Sequence, residues 1–221
     1  DTDLAVVGYL RPDAAVTIPD RHLGLRIAIE QGQSDLYDRL AQSAAETIDL
    51  DLVETLARSA GELCAEDLPE PGVTGQQRLI RVGVAYDAAF CFYYQDNLEL
   101  LAAAGADMVN FSPLRDTKLP NVDVLYLGGG YPELYGETLE ANVSMRRAVK
   151  AFSDQGGTIY AECGGLMYLA RSITWRGRTA RMVGVIPGDA VMHERPVGRG
   201  YVHLAQTGAM PWAPGAAEGL R

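Results

Sequence analysis

Cysteine and histidine are scarce in this chain, three of each among 221 residues. Cys64, Cys91 and Cys163 are too few and too scattered for a disulfide framework, and no CxxC pair supplies metal-ligand spacing. Nor does any His/Cys/Asp/Glu cluster, so no metal site is expected. No apolar run approaches the roughly 20 residues that span a bilayer. The acidic opening DTDLAVV is not the basic start of a secretory signal. Positive charge is in the minority: the net charge is −10 and the isoelectric point about 4.7. That balance argues against a nucleic-acid backbone or an anionic membrane as the main partner. Phosphate-loop chemistry is also missing. There is no G-x-x-x-x-G-K-[ST], GGGYPELYG lacks the lysine and hydroxyl such a loop needs, and no G-x-G-x-x-G opens a helix after the first strand of the α/β region. What remains is ordinary for a soluble globular protein, with 48% hydrophobic and 22% charged residues. A reducing cytoplasm fits best, and the length suits one large domain or two modest ones.

Along the chain, residues 4–10 (LAVVGYL) read as a short strand, followed by a turn-rich stretch and two helices. Ser34 and Asp35 can cap LYDRLAQSAAE, and DLDLVETLARSA carries apolar residues at Leu52, Val53, Leu56 and Ala57. A first strand wants parallel neighbours, and residues 1–60 supply none, so they read as the tail of a domain whose main sheet lies upstream. Residues 61–78, with two prolines, three glycines and an acidic cluster, read as a linker. From 79 onward strands and helices alternate: strands at 79–86, 106–111, 122–130 and 158–162, helices at 95–105, 137–157 and 164–173. The helix over 137–157 closes on a Gly-Gly C-cap. Later strands are expected within 180–188 and 199–207. This alternation predicts βαβ units and a mostly parallel, doubly wound α/β sheet. The chain has no initiator methionine and ends on AAEGLR, so a piece of something longer is expected.

In an open parallel sheet, ligands bind beyond the carboxyl ends of the strands. Two segments fall there together: LYLGGGYPELYG (125–136) and Cys163 in AECGGL. Cys163 has the setting of a nucleophile elbow, at a strand-to-helix turn with small neighbours that allow a tight backbone path. A helix N-terminus favours a thiolate there. The Gly164 amide would face an oxyanion, with a second donor from Gly129 or Gly130. The competing reading is a small buried thiol at a tight turn, and on these residues alone both stay open. A base is harder to find, because His22, His193 and His203 carry no Cys-His signature. In YDAAFCFYYQDNLELL (86–101), packing is expected for Phe90, while Phe92, Tyr93 and Tyr94 are split evenly between packing and a pocket mouth. Cys64 and Cys91 read as structural.

The segments AYDAAFCFYYQDNLELLAAAGA, FSPLRD, LGGGYPEL, AECGGLMYL and GYV stand in order, and with them the chain resembles the cobyrinic (or hydrogenobyrinic) acid a,c-diamide synthase family, siroheme-amidating relatives included. The resemblance runs essentially end to end. It implies a flavodoxin-like class I glutamine amidotransferase domain over 79–221, lacking its C-terminal stretch. Before it would come the tail of a P-loop-type α/β synthetase domain at 1–60 and the linker at 61–78.

By that resemblance Cys163 would attack the side-chain amide of glutamine, with Gly164, Gly129 and Gly130 as the oxyanion hole. Gly128, Tyr131 and Glu133 would frame the glutamine. Arg21 and His22 would lie near the synthetase site. Ammonia would pass to a tetrapyrrole carboxylate activated by ATP and Mg²⁺, both held mainly by a segment upstream of this chain. The family's catalytic histidine is expected past Arg221, and little glutaminase activity is expected of residues 1–221 by themselves. The implied activity is a glutamine-dependent ligase amidating the a and c carboxylates of cobyrinate or hydrogenobyrinate in cobalamin biosynthesis. The alternatives are a siroheme or sirohydrochlorin amidase, a non-catalytic amidotransferase-like module, and a different cysteine hydrolase on a similar fold. A homodimer stays open.

Overall fold

The computed structural model describes residues 4–17, 34–62, 79–194 and 197. Its centre is a four-stranded parallel sheet in the order β3-β1-β4-β6, formed by β1 (Ile80–Ala85), β3 (Ala106–Phe111), β4 (Val124–Leu127) and β6 (Thr158–Ala161). β1 pairs with β3 from Ile80↔Ala106 to Ala85↔Phe111, and β4 pairs with β6 from Val124↔Thr158 to Leu127↔Ala161. The strands alternate because the sheet has two covered faces. Val82, Val84 and Tyr126 pack on one side with Leu98 of α3 (Gln95–Ala103). Ala85, Leu125 and Leu127 pack on the other side. There they meet Leu139 of α4 (Gly136–Ala141), Met145 and Val149 of α5 (Val143–Asp154), and Tyr168 of α6 (Gly164–Leu169). The doubly wound α/β architecture is as expected.

Several boundaries differ from the sequence reading. The strand expected over 122–130 breaks at Gly128. Its last two residues form β5 (Gly129–Gly130), which leaves the parallel sheet to pair antiparallel with β2 (Phe90–Phe92). The pairs Phe90↔Gly130 and Phe92↔Gly129 leave Cys91 as a bulge. The helix expected over 137–157 is two helices. Asn142 between them accepts the Met145 amide at 3.2 Å and donates to the carbonyls of Pro113 and Asp116, both at 2.8 Å. The Gly-Gly stop is present: Gly156 has φ 82, and the amides of Gly156 and Gly157 bond back to Ser153 and Phe152.

The helix after Cys163 ends at Leu169, earlier than expected, and the chain turns into a second sheet of order β8-β7-β9. This consists of β7 (Ser172–Trp175), β8 (Arg178–Arg181) and β9 (Asp189–Val191). β7 and β8 form a hairpin on Arg176 (φ 50) and Gly177 (φ 78), two positive-φ residues whose twist matches a two-residue turn. The strand expected within 180–188 stops at Arg181.

The two N-terminal helices are α1 (Ser34–Thr47) and α2 (Leu50–Ser59), the latter capped by Asp49 accepting the Leu52 amide at 2.9 Å. The strand expected at 4–10 is reduced to one bridge, Gly8 with Ile48. The strand expected at 199–207 lies outside the described residues. Among those described, no helix is long and apolar enough to cross a membrane.

Candidate active site

The carboxyl ends of β4 and β6 lie side by side, and the loops leaving them are bonded to each other through backbone. The Glu162 amide donates to Leu127 O at 3.1 Å. The Gly165 amide donates to Gly128 O and Glu162 O, both at 2.9 Å. A methyl group on Gly165 would sit far inside van der Waals contact with Leu127 O, so only glycine lets α6 start this close to β4.

Between these bonds lies Cys163, the N-cap of α6, with φ 49 and ψ −113 and an exposed side chain. Left-handed backbone is uncommon for a residue with a Cβ. Here it turns the chain sharply out of the strand and presents the thiol at the sheet edge. Among the described residues, the turn's backbone hydrogen bonds use the amides of Glu162, Gly165 and Met167, and leave that of Gly164 out.

The glycine loop closes on the same point. A Cβ built on Gly129 would lie 3.5 Å from Cys163 Cβ and 3.8 Å from Sγ. One built on Gly164 would lie 3.1 Å from the Gly130 nitrogen and 2.9 Å from Pro132 Cδ. Gly130, at φ 154, packs so tightly on Ala89 that a side chain would overlap its carbonyl oxygen. The structure thus brings Cys163, Gly164, Gly129 and Gly130 together. Gly128 stands behind them, where a Cβ would meet the Tyr93 ring at 2.5 Å. Tyr131 is fully buried, its ring 6.2 Å from that of Phe92. Glu133 is buried in the short 3-10 turn Pro132–Tyr135 and borders a pocket of about 240 Å³ with Trp175 and Arg178. Neither Cys163 nor the 128–130 glycines line that pocket. Arg21, His22, Cys64 and His203 lie outside the described residues.

Three side chains the sequence reading did not assign to the site shape it. The Tyr93 hydroxyl donates to Ala85 O and accepts the Gly128 amide at 2.9 Å, joining the end of β1 to the glycine loop. Burial is the main cause pushing its pKa well above the usual phenol range, which keeps it a neutral donor. Tyr126 donates to Glu162 Oε1 at 3.0 Å, one residue before Cys163. Burial first, and that bond second, push the Tyr126 pKa up to about 12. Asp87 is buried and accepts four hydrogen bonds, from the Ala89, Phe90 and Leu114 amides and the Ser112 hydroxyl. It sets the turn that carries β2 onto β5. The aromatic run was the available signal for Tyr93. Phe90 is buried as expected, and Tyr94 is exposed.

Chemically this is an exposed thiol between two sets of backbone amides, an arrangement suited to a nucleophile beside an anion hole. Among the described residues no group of three or more His, Cys, Asp or Glu could hold a metal ion.

Residues 81–214 match the family model described as the CobB/CobQ-like glutamine amidotransferase domain. Among curated proteins, the chain is similar to the cobyrinate a,c-diamide synthase of Magnetococcus marinus, 39% identical over 96% of this chain and 46% of that protein. It is 41% identical to the cobyrinate a,c-diamide synthase of Listeria monocytogenes over 90% of this chain and 44% of the relative. The cobyrinate a,c-diamide synthase of Methanothermobacter thermautotrophicus is also 41% identical, over 91% and 44%. The chain spans less than half the length of each of these relatives.

Proposed function

The chain belongs to the CobB/CobQ-like glutamine amidotransferase family, and from that premise we propose that it releases ammonia from glutamine through Cys163 and supplies it for amidation of the a and c carboxylates of cobyrinate. The observation that carries this reading is the meeting of Cys163 Sγ, exposed on a left-handed elbow, with Gly129 and with the Gly164 amide, which no backbone hydrogen bond uses among the described residues.

The thiolate of Cys163 attacks the amide carbon of the glutamine side chain, forming the S–C bond while the carbonyl π pair moves to oxygen. The Gly164 amide and one from Gly129–Gly130 donate hydrogen bonds to this oxyanion. The tetrahedral adduct collapses as the proton lost by the thiol on ionisation is delivered to the nitrogen, the C–N bond breaks, and ammonia leaves. Water then attacks the glutamyl thioester, returning the thiol and releasing glutamate. Tyr93 positions the glycine loop, and Gly128, Tyr131 and Glu133 shape the surroundings of the glutamine. The family's ATP and Mg²⁺ would serve to activate the carboxylate in the synthetase half, where Arg21 and His22 would lie. The relatives' being cobyrinate a,c-diamide synthases supports cobyrinate as the substrate, with residues 1–60 as the tail of the synthetase domain.

A glutamine-analogue diazo-ketone tests this directly on the full-length protein. Intact-mass and peptide spectra are expected to show one adduct, on Cys163, that glutamine protects against and Cys163→Ala abolishes. An adduct elsewhere, or none together with no glutamine hydrolysis, removes the reading.

A further inference from the structure

Away from the thiol, five of the chain's 19 lysines and arginines line one cleft of about 640 Å³. Arg146, Arg147 and Lys150 come from α5, Arg171 follows α6, and Arg181 closes β8. Among the described residues, no acidic side chain lines it. In a protein of net charge −10, gathering this many cations opposes the average field and sets like charges against one another.

Local ion pairs answer only part of that charge. Lys150 pairs with Asp154, and Arg171 with Asp189 at 2.5 Å, both at exposed positions where such pairs are weak. Arg146 is committed to backbone, donating to Glu140 O at 2.6 Å and Met182 O at 3.4 Å. Its Nε is buried and has no hydrogen-bond partner among the described residues. Arg147 and Arg181 have no carboxylate paired with their side chains among the described residues. Burial, together with the nearby Arg181 and Arg147, pushes the pKa of Arg146 below its usual value. An anion in the cleft would relieve that repulsion.

We propose that this cleft binds a small, multiply charged oxyanion, a phosphorylated or polycarboxylate metabolite, through Arg147 and Arg181, with Lys150 and Arg171 at the rim and the backbone-held Arg146 adding its charge from the floor. Guanidinium forks match the oxygens of both groups bidentately, and the volume suits a metabolite. The site is separate from the proposed ammonia chemistry. Its lining contains neither Cys163 nor the glycine loop, and the short helix α6 runs from Cys163 to the stretch bearing Arg171.

Titration calorimetry on the full chain, with pyrophosphate and separately with citrate, tests the proposal. Matched chloride and sulfate serve as controls at about 50 and 300 mM salt. Saturable one-to-one binding is expected for at least one ligand, tighter than sulfate and weakened by salt. Affinity should fall about tenfold or more in Arg147→Gln/Arg181→Gln. Preference for pyrophosphate identifies a phosphate ligand, and preference for citrate a polycarboxylate. A thermal melt checks that the double variant is folded. If it is not, the exposed single change Arg147→Gln supplies the comparison, with a smaller loss expected. No saturable binding, binding no tighter than sulfate, or equal affinity in wild type and folded variant overturns the proposal.

Discussion

Replacing Tyr93 with phenylalanine removes one oxygen atom and with it two hydrogen bonds at the base of the glycine loop. The ring stays, and so does its packing on Tyr126 at 5.1 Å and Tyr86 at 5.9 Å. What is lost is the partner of the Gly128 amide and of the Ala85 carbonyl, both on buried residues. Leaving a buried polar group unsatisfied costs about 1–3 kcal/mol. A loss of about 2 kcal/mol is therefore expected for Tyr93→Phe, roughly a 30-fold shift in the folding equilibrium. The same change frees the first glycine of the loop that faces Cys163. Displacing a positioned group by about an ångström costs on the order of a hundredfold in rate. Diazo-ketone labelling of Cys163 should slow by roughly ten- to a hundredfold. Urea unfolding reads the first number and time-resolved mass spectrometry the second. An unchanged midpoint together with an unchanged labelling rate refutes the strut. Lower stability with wild-type labelling confines Tyr93 to the fold.

Glycine substitutions on the two sides of the thiol are expected to part. Gly165→Ala forces a methyl into Leu127 O and should destabilise by about 3 kcal/mol or prevent folding. Gly129→Ala places its methyl 3.8 Å from Sγ and 3.0 Å from Phe92 Cβ, which lies on a half-exposed side chain; it should fold and lose labelling. Equal melting points for the two variants contradict this. Tyr126, whose pKa is raised to about 12, contributes stability that is fully present below about pH 10 and lost as pH rises through about 12. Near-ultraviolet tyrosinate absorbance should show a late phase that Tyr126→Phe reduces by one tyrosine, the still higher Tyr93 and Tyr168 remaining. Identical titrations in both proteins exclude it.

The central sheet and the pairing of the two glycine segments were legible because each rests on local backbone needs. Strands alternating with helices announce βαβ units, and Gly129, Gly130, Gly164 and Gly165 stand where no Cβ fits or where one would crowd the thiol. Tertiary contacts decided the rest. Asn142 lies inside a helical pattern, and what breaks that helix is its amide reaching carbonyls 26 and 29 residues away. The Arg176–Gly177 hairpin was missed because the start of β7 fell in the end of the helix expected over 164–173 and the turn itself in the gap before the next expected strand, although an X-Gly pair after SITW is a turn signal. Tyr93 could not be told from its aromatic neighbours, since a strand of three residues with a bulge has no usable period. The cationic cleft draws on three separate stretches, and no window of sequence contains it.

The elbow itself shows which parts of the site are fixed by what. Holding Cys163 at φ 49 and ψ −113 costs on the order of 1–3 kcal/mol, and nothing in the thiol repays it. The conformation is held from both sides by main chain: Glu162 bonds to Leu127 before the turn, and Gly165 bonds to Gly128 and Glu162 after it. The absence of a side chain on Gly165 lets those bonds form at 2.9 Å. Position 163 is thus over-determined by its neighbours, and its side chain is free to differ without moving the backbone. That separation gives Cys163→Ala its force as a control. Alanine keeps a Cβ, and hence the same strain and the same path, so a lost adduct in that variant reports the sulfur and not the fold.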